Sequence, residues 1–314
     1  MKYTREACYC VVAVLLIAVV PWTGSYFTGV VSEVLIYGIF AMSLGLLIGY
    51  TGMMSFGHAA FFGIAAYTVA ILGVQFGWSG WIGLPIAVAV SGAAAALVGL
   101  FCVRVSGIPF LMLTMAFSQL FYSISLQWRT VTGGSDGLSG FERPTLFGLS
   151  LDSGNSLYYL ILVSFGMVVL LLMKLVRSPL GSIFVGIRDN ESRMRAIGYP
   201  VRWFKLVSFT IAGMIAGFAG GLYAFFNTYV SSDILHWSLS GDVIVMAVLG
   251  GVQTILGPAI GAGIFLILKN LVSSHTAYWM FWIGVVFIAT VMFMREGLWG
   301  FAARTIERLS GKQG

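Results

Sequence analysis

The chain has 314 residues, of which 59% are hydrophobic and only 9% charged, whereas an ordinary soluble domain carries about 25% charged residues. This balance excludes a water-soluble fold of this size, because too little polar surface exists to cover the core. Lipid is the implied solvent, and the net charge of +6 is then read as membrane sidedness before it is read as affinity for nucleic acid.

In chain order, Lys2 and Arg5 precede an apolar run from Tyr9 to Val20 with the outline of a signal peptide. No clean small-x-small cleavage pattern follows, so it reads as a retained first span, 7–24. Further windows of the length a bilayer demands lie at 31–50, 57–76, 82–103, 107–127, 157–177, 206–228 and 277–295. The apolar stretch 241–272 is too long for one simple helix and is broken at Gly250-Gly251 and Gly257-Pro258. It reads as a half-helix from Asp242 to Leu249, a turn inside the membrane, and a second helix from Pro258 to Val272. Asp242 is placed to cap that half-helix at its positive end. The expected fold is all-α: one polytopic membrane domain over 1–314, with about eight full spans and a re-entrant half-helix.

Composition supports this layout. The 40 glycines suit close helix packing in lipid, and Trp22, Trp78, Trp81, Trp128, Trp203, Trp237 and Trp299 fall near span ends, where indoles favour the headgroup layer. Cys8, Cys10 and Cys102 lie in or beside apolar segments without metal or redox spacing, so they read as packing residues. With the N-terminus placed inside, only Arg129, Arg143 and Lys269 of the 17 basic residues face out. That bias sets both termini on the cytoplasmic side and needs no nucleic-acid partner.

Two hydrophilic loops remain. The outer one, 128–156, is rich in Gly, Ser and turn formers and suits an ordered cover or a docking surface. The inner one, 178–205, carries a predicted short helix from Ile187 to Ile197, with Ile187, Met194 and Ile197 on one face and Arg188, Asp189, Glu191, Arg193 and Arg195 largely on the others. Gly198 is placed to end it and Pro200 to stop it. Such a helix can plug into a groove on a cytosolic partner or lie on lipid headgroups.

Embedded polar groups are few. Thr51, Ser55 and His58 follow the first glycine break at Gly49 and Gly52; Ser118 and Gln119 lie in the fifth span; Gln253 and Thr254 follow the second break. A faint repeat relates Gly57–Gly63 to Gly257–Gly263, and matched breaks point to a transport path beside them. Exposed backbone at the breaks, Gly250 and Gly251 included, can line a polar constriction with Ser55, His58, Gln119 and Gln253, while Phe56 can serve an apolar side chain. Ordinary packing and local hydrogen bonding account for each of these residues singly. Asp233, His236 and Trp237, just before the half-helix, are candidates for contact with an external partner.

Four blocks resemble one known family. The run from Val185, GIRDNESRMRAIGYPVRWFKLVSFTIAGMIAGFAGGLYAF, is similar to the coupling loop and following span of permeases for branched-chain amino acids in bacterial ATP-binding-cassette importers. GYTGMMSFGHAAFFGIAAYTVA (49–70), the segment 111–140 and VMAVLGGVQTILGPAIGAG (245–263) resemble the same family in the same order, across roughly 30–300. The resemblance implies an M-type permease subunit in the inner membrane, paired with a homologous H-type subunit, two cytoplasmic ATPase subunits and a soluble substrate-binding protein. By position it implies ATPase docking through Arg188, Asp189, Glu191, Arg193, Ala196 and Gly198. The chain contains no G-x-x-x-x-G-K-[ST] phosphate loop, so ATP and Mg would belong to the partner subunits, with no cofactor on this chain. A branched-chain or hydrophobic amino acid is the expected substrate; urea, short amides or a small carboxylate are the alternatives within the family. From another class, an intramembrane enzyme would use Ser55 with His58, but no oriented acid accompanies them. A passive channel would leave the charged inner helix without a role.

Overall fold

A computed structural model describes residues 24–146, 149–150, 154–276 and 278–293, and over that range it is almost wholly helical. Helix α1 (Ser25–Leu46) runs into a π-helical turn (Leu47–Thr51), and α2 follows at His58–Phe76. Next come α3 (Gly80–Cys102), α4 (Ile108–Gln127) and the one-turn α5 (Arg129–Thr132). The outer loop continues through β1 (Leu138–Ser139), β2 (Thr145–Leu146) and β3 (Leu149–Ser150). Helix α6 (Gly154–Val176) leads into α7 (Pro179–Asp189), α8 (Glu191–Ala196), α9 (Val201–Asn227) and β4 (Tyr229–Val230). A 3-10 turn (Ser232–Leu235) precedes α10 (Trp237–Gly250), α11 (Gly257–Ser273) and α12 (Trp279–Phe293).

Among the described residues, six helices are long and apolar enough to cross a membrane: α1 with its π turn, α2, α3, α4, α6 and α9. They coincide with six of the predicted spans. The predicted span 7–24 lies outside the described residues. The predicted span 277–295 is described as the 15-residue α12.

The core lies where α1, α2 and α9 meet, and its buried residues include Ile39, Phe40, Phe61, Phe62, Phe209 and Ala216. Small residues let these helices approach. Gly213, Gly217 and Gly221 recur at every fourth position of α9, where a Cβ would overlap Ala95, Ser91 and Leu84 of α3. This is small-xxx-small packing, in which close van der Waals contact supplies the association that lipid does not drive. Ser91 Oγ lies 3.0 Å from the Phe61 carbonyl and 2.9 Å from that of Gly213, linking α2, α3 and α9. The outward faces of α3, α4 and α6 expose Leu97, Met112, Leu120, Val163 and Leu170, as surfaces wetted by lipid or a partner subunit require.

The outer loop is tied down where it is described. β1 pairs antiparallel with β4, Leu138 opposite Val230. Arg143 donates to the Phe225 and Phe226 carbonyls at the end of α9, at 3.1 and 3.2 Å.

Two sequence expectations are corrected. The half-helix begins at Trp237 instead of Asp242: His236 is its N-cap, with Nδ1 accepting the Ser238 N–H at 3.3 Å. Asp242 lies more than a turn inside α10, where no cap needs its carboxylate. The inner loop holds two helices in place of one from Ile187 to Ile197. Asn190 is extended, and its side-chain oxygen accepts the Arg193 N–H at 2.9 Å, so it ends α7 and starts α8. Ile187 is consequently buried on α7 while Ile197 is 63% exposed, and the single apolar face does not form. The predicted ending holds. Gly198 adopts φ 93°, its N–H donates to Arg195 O at 3.0 Å, and Tyr199 N–H donates to Met194 O at 3.1 Å. These are the paired bonds of a Schellman motif.

Candidate functional site

The break between the π turn and α2, and the first turn of α2, leave backbone N–H groups that lipid cannot satisfy. The molecule supplies hydroxyls for them. Ser55 Oγ accepts the Gly57 N–H at 3.2 Å, Thr114 Oγ1 of α4 accepts the Phe56 N–H at 3.2 Å, and Ser240 Oγ of α10 accepts the Ala59 N–H at 2.8 Å. The break after α1 is therefore a junction held by three helices. Ser55 serves that turn and is not bonded to His58. The His58 Nε2 instead lies 2.8 Å from Ser43 Oγ, whose proton goes to the Phe40 carbonyl at 2.6 Å. With the Ser43 proton on the Phe40 carbonyl, Nε2 is the donor of this bond, and the ring is fully buried and stacked on Phe40 with centroids 5.7 Å apart. The nucleophile–base pair required by an enzyme is absent from this position. Among the described residues His58 Nδ1 and Gln119 Oε1 are buried polar atoms without a hydrogen-bond partner.

The two glycine breaks, about 200 positions apart in the chain on the spacing that suggested a repeat, meet in space. A Cβ on Gly49 would overlap the Val252 carbonyl, one on Gly250 would overlap Gly257 O, and one on Gly261 would overlap Met246 O. Only glycine permits this stacking of turns. Gly251, at φ 105°, ends α10. Gln253 is exposed at the tip of the turn, and Thr254 Oγ1 accepts the Gly257 N–H at 3.0 Å. The breaks thus close against each other at the end of the bundle where α7 packs.

That end carries the inner loop. Arg188 Nη1 donates to the Gly49 carbonyl at 2.5 Å, and its Nε and Nη2 donate to Asp189 Oδ1 at 3.0 and 2.8 Å. A residue expected from position to meet a partner is thereby bonded to the π turn itself. Glu191 is also turned inward. Its carboxylate receives Lys205 Nζ of α9 at 2.5 Å and Arg195, and Ser106 Oγ lies 3.4 Å from it. Lys205 is buried and donates to Ser106 as well, at 3.0 Å. Burial raises the Glu191 pKa, but the hydrogen bonds and charges of Lys205 and Arg195 outweigh it and hold the carboxyl below its ordinary range. Arg193, Ala196 and Gly198 remain exposed, and Ile197, Tyr199 and Trp203 add exposed apolar area beside them.

Asp233, His236 and Trp237 sit apart from this end. Asp233 is exposed, whereas His236 and Trp237 are half-buried. Ser118, midway along α4, donates to Leu235 O at 2.8 Å, so the chain dips into the bundle before α10 begins. Trp237 packs on Phe56, ring centroids 6.2 Å apart, and His236 packs edge-on to Tyr122 at 5.0 Å. The structure brings Phe56 and Trp237 together, although the sequence placed them in separate sites. Sequence reasoning missed Glu33 of α1 altogether and read Lys269 only as an outer charge. Their signal was an ionisable residue inside an apolar run, which in a membrane marks function by default.

These features define a helical bundle with several apolar helices long enough to cross a membrane: two broken segments close on each other, with a polar loop bonded to the closure. The profile of the family described as "Branched-chain amino acid transport system / permease component" matches residues 25–291, and the chain belongs to that family. It is 29% identical to the high-affinity branched-chain amino acid transport system permease protein LivM of Escherichia coli (strain K12), over 90% of this chain and 73% of the relative. Identity to the probable branched-chain amino acid transport permease protein LivH of Methanocaldococcus jannaschii is 24%, over 85% of this chain and 90% of the relative. A more distant relative is the autoinducer 2 import system permease protein LsrC of Enterobacter sp. (strain 638), 26% identical over 64% of this chain and 58% of that protein. No solved structure matches significantly. The chain is a transport subunit and not an enzyme, as its relatives are permease proteins.

Proposed function

We propose that this chain is one permease subunit of an ATP-binding-cassette importer for a branched-chain or other hydrophobic amino acid. It pairs in the inner membrane with a homologous H-type permease, is driven by two cytoplasmic ATPase subunits that hold ATP and Mg, and receives substrate from a soluble binding protein. Both termini are cytoplasmic in this reading, and the exposed side of the inner loop around Arg193, Ala196 and Gly198 docks the ATPase.

The observation that carries the reading is the bond from Arg188 to the Gly49 carbonyl. A loop that merely lay on headgroups would have no need to hold the π turn. A loop that receives a push from a nucleotide-driven partner needs this link, because its displacement then acts on the junction of the two glycine breaks. The shallow cleft lined by Arg195, Pro200, Val201, Arg202 and Trp203 beside the loop adds an apolar seat ringed by cations, suited to a partner surface with acidic groups.

The test is co-purification. Arg193→Glu reverses a charge on the exposed side of α8, and Gly198→Trp forces a bulky side chain onto φ 93°, so each should strip the ATPase from the complex and abolish uptake. Unchanged ATPase recovery and uptake in both variants would refute the docking assignment.

A further inference from the structure

Helix α4 has few buried residues and is tied to the bundle through hydroxyls. Of its 20 residues only Phe110, Thr114, Ser118 and Ser125 are buried, while Met112, Leu120 and Ile124 are exposed. Two of the three buried hydroxyls reach other parts of the molecule. Thr114 Oγ1 accepts the Phe56 N–H at 3.2 Å, and a Cβ on Gly57 would overlap the Thr114 carbonyl. Ser118 Oγ donates to the Leu235 carbonyl at 2.8 Å, in the turn before α10. Ser125 Oγ donates within α4, to the Tyr122 carbonyl at 2.8 Å.

The N-terminal end of α4 hangs on the inner loop. Ser106, in the connection between α3 and α4, accepts a hydrogen bond from Lys205 Nζ at 3.0 Å and lies 3.4 Å from the Glu191 carboxylate. Lys205 is buried in the first turns of α9 and meets Glu191, the opening residue of α8, at 2.5 Å. Charge-assisted bonds thus tie α8, the start of α9 and the connection together. Between that tie and α4 stands Gly107, at φ 70° and ψ −137°, a backbone conformation open to glycine and rarely adopted by other residues. A Cβ there would meet nothing within 4 Å, so the joint has open space around it. Hinges are a few such residues that absorb changes of φ and ψ between packed parts.

We infer that α4 is a lever of the transport cycle: the Glu191–Lys205–Ser106 contact holds its N-terminal end, Gly107 is its hinge, and Thr114 and Ser118 carry its movement to the start of α2 and to the turn before α10. Ser106, Glu191 and Lys205 are positioning residues that act on the path through α4. The inner loop then grips the first break at both ends, at Gly49 through Arg188 and at Phe56 through α4. Sparse burial suits this role, because elements with few buried contacts are the ones that move at small cost. This inference rests on the importer reading.

The test measures amide exchange and transport on the assembled complex purified with this full-length chain. In the wild type, exchange over 108–118 should differ at least about threefold between the nucleotide-free complex and one trapped with ADP and orthovanadate, as expected of a moving element. Ser106→Ala should abolish that nucleotide response, which mere anchoring of α8 would leave in place. In proteoliposomes, Ser106→Ala and Thr114→Val should each lower leucine uptake per ATP about fivefold, the size of one lost hydrogen bond. Combined, they should lower it no further than the worse of the two, because both act through one helix. Thr114→Ser, which keeps the hydroxyl, should retain most of the uptake. Ser125→Ala removes a buried hydroxyl bonded within its own helix and should leave uptake per ATP unchanged. Multiplied effects in the double variant, or exchange over 108–118 that ignores nucleotide in a wild-type complex that moves leucine, would overturn the lever and leave the importer reading intact. The wild-type comparison decides the matter even where a variant fails to assemble. Failure of the wild-type complex to move leucine on ATP would overturn the importer reading, and the lever with it.

Discussion

Gly49 shows how much one residue can hold. Its missing side chain lets the Val252 carbonyl close on α1, and its own carbonyl receives Arg188 at 2.5 Å. Gly49→Ala should push the second break away at a cost of about 1–3 kcal/mol, the range for overpacking a tight site. A lower apparent unfolding temperature of the purified chain would register this. Gly166→Ala, where a Cβ meets nothing within 4 Å, should be neutral or slightly stabilising in the same assay. The glycines were legible in the sequence as breaks; their mutual contact was not, because it depends on how α1 and α11 pack. His58 gives the reverse lesson. Its nearness to Ser55 in the sequence suggested a reactive pair, but the imidazole points to Ser43 on another helix. Ser240, which satisfies the start of α2 from 181 positions away, carried no sequence signal at all.

At the scale of elements, the inner loop was the segment read most nearly right and still divided wrongly. Hydropathy and the Gly198–Pro200 ending marked a helix, but Asn190 followed by Glu191 was an N-cap signal within that run. Recognising it would have split the helix and turned Glu191 inward. The Glu191–Lys205–Ser106 contact anchors α8 to α9 and to the connection before α4. Lys205→Met leaves that partly shielded carboxylate without its buried partner. Amide exchange in α8 should then quicken by a factor corresponding to about 2 kcal/mol of easier opening, below the cost of breaking a fully buried pair. The acid response has a definite sign. Because the folded-state pKa of Glu191 is depressed, its contribution is complete above the free-glutamate value of about 4.3 and is lost as pH falls through the lower folded value. Protection of α8 should fall over that window in the wild type, and Glu191→Gln should flatten the response. The spans themselves needed no such detail. Their length and apolarity are demanded by the bilayer, so α2, α3, α4, α6 and α9 appeared within a few residues of their observed limits.

Across the whole molecule, the two ends have different tasks. One end closes the glycine breaks against each other under the inner loop. Toward the other, the outer loop is tied to α9 and β4 by Arg143 and the β1–β4 pair. Long-range contacts of this kind are invisible to a one-dimensional reading, in which each partner is seen alone. Transport in this account is a displacement of the loop passed through Arg188 to the π turn, so that ATP turnover by a partner opens the closed breaks. The most direct test is Arg188→Ala in the purified complex reconstituted in proteoliposomes, with ATP hydrolysis and leucine uptake measured together. The account predicts an assembled complex that still hydrolyses ATP while uptake falls at least about tenfold, the effect of losing a hydrogen bond to a charged group. Uptake per ATP equal to that of the wild type would contradict it.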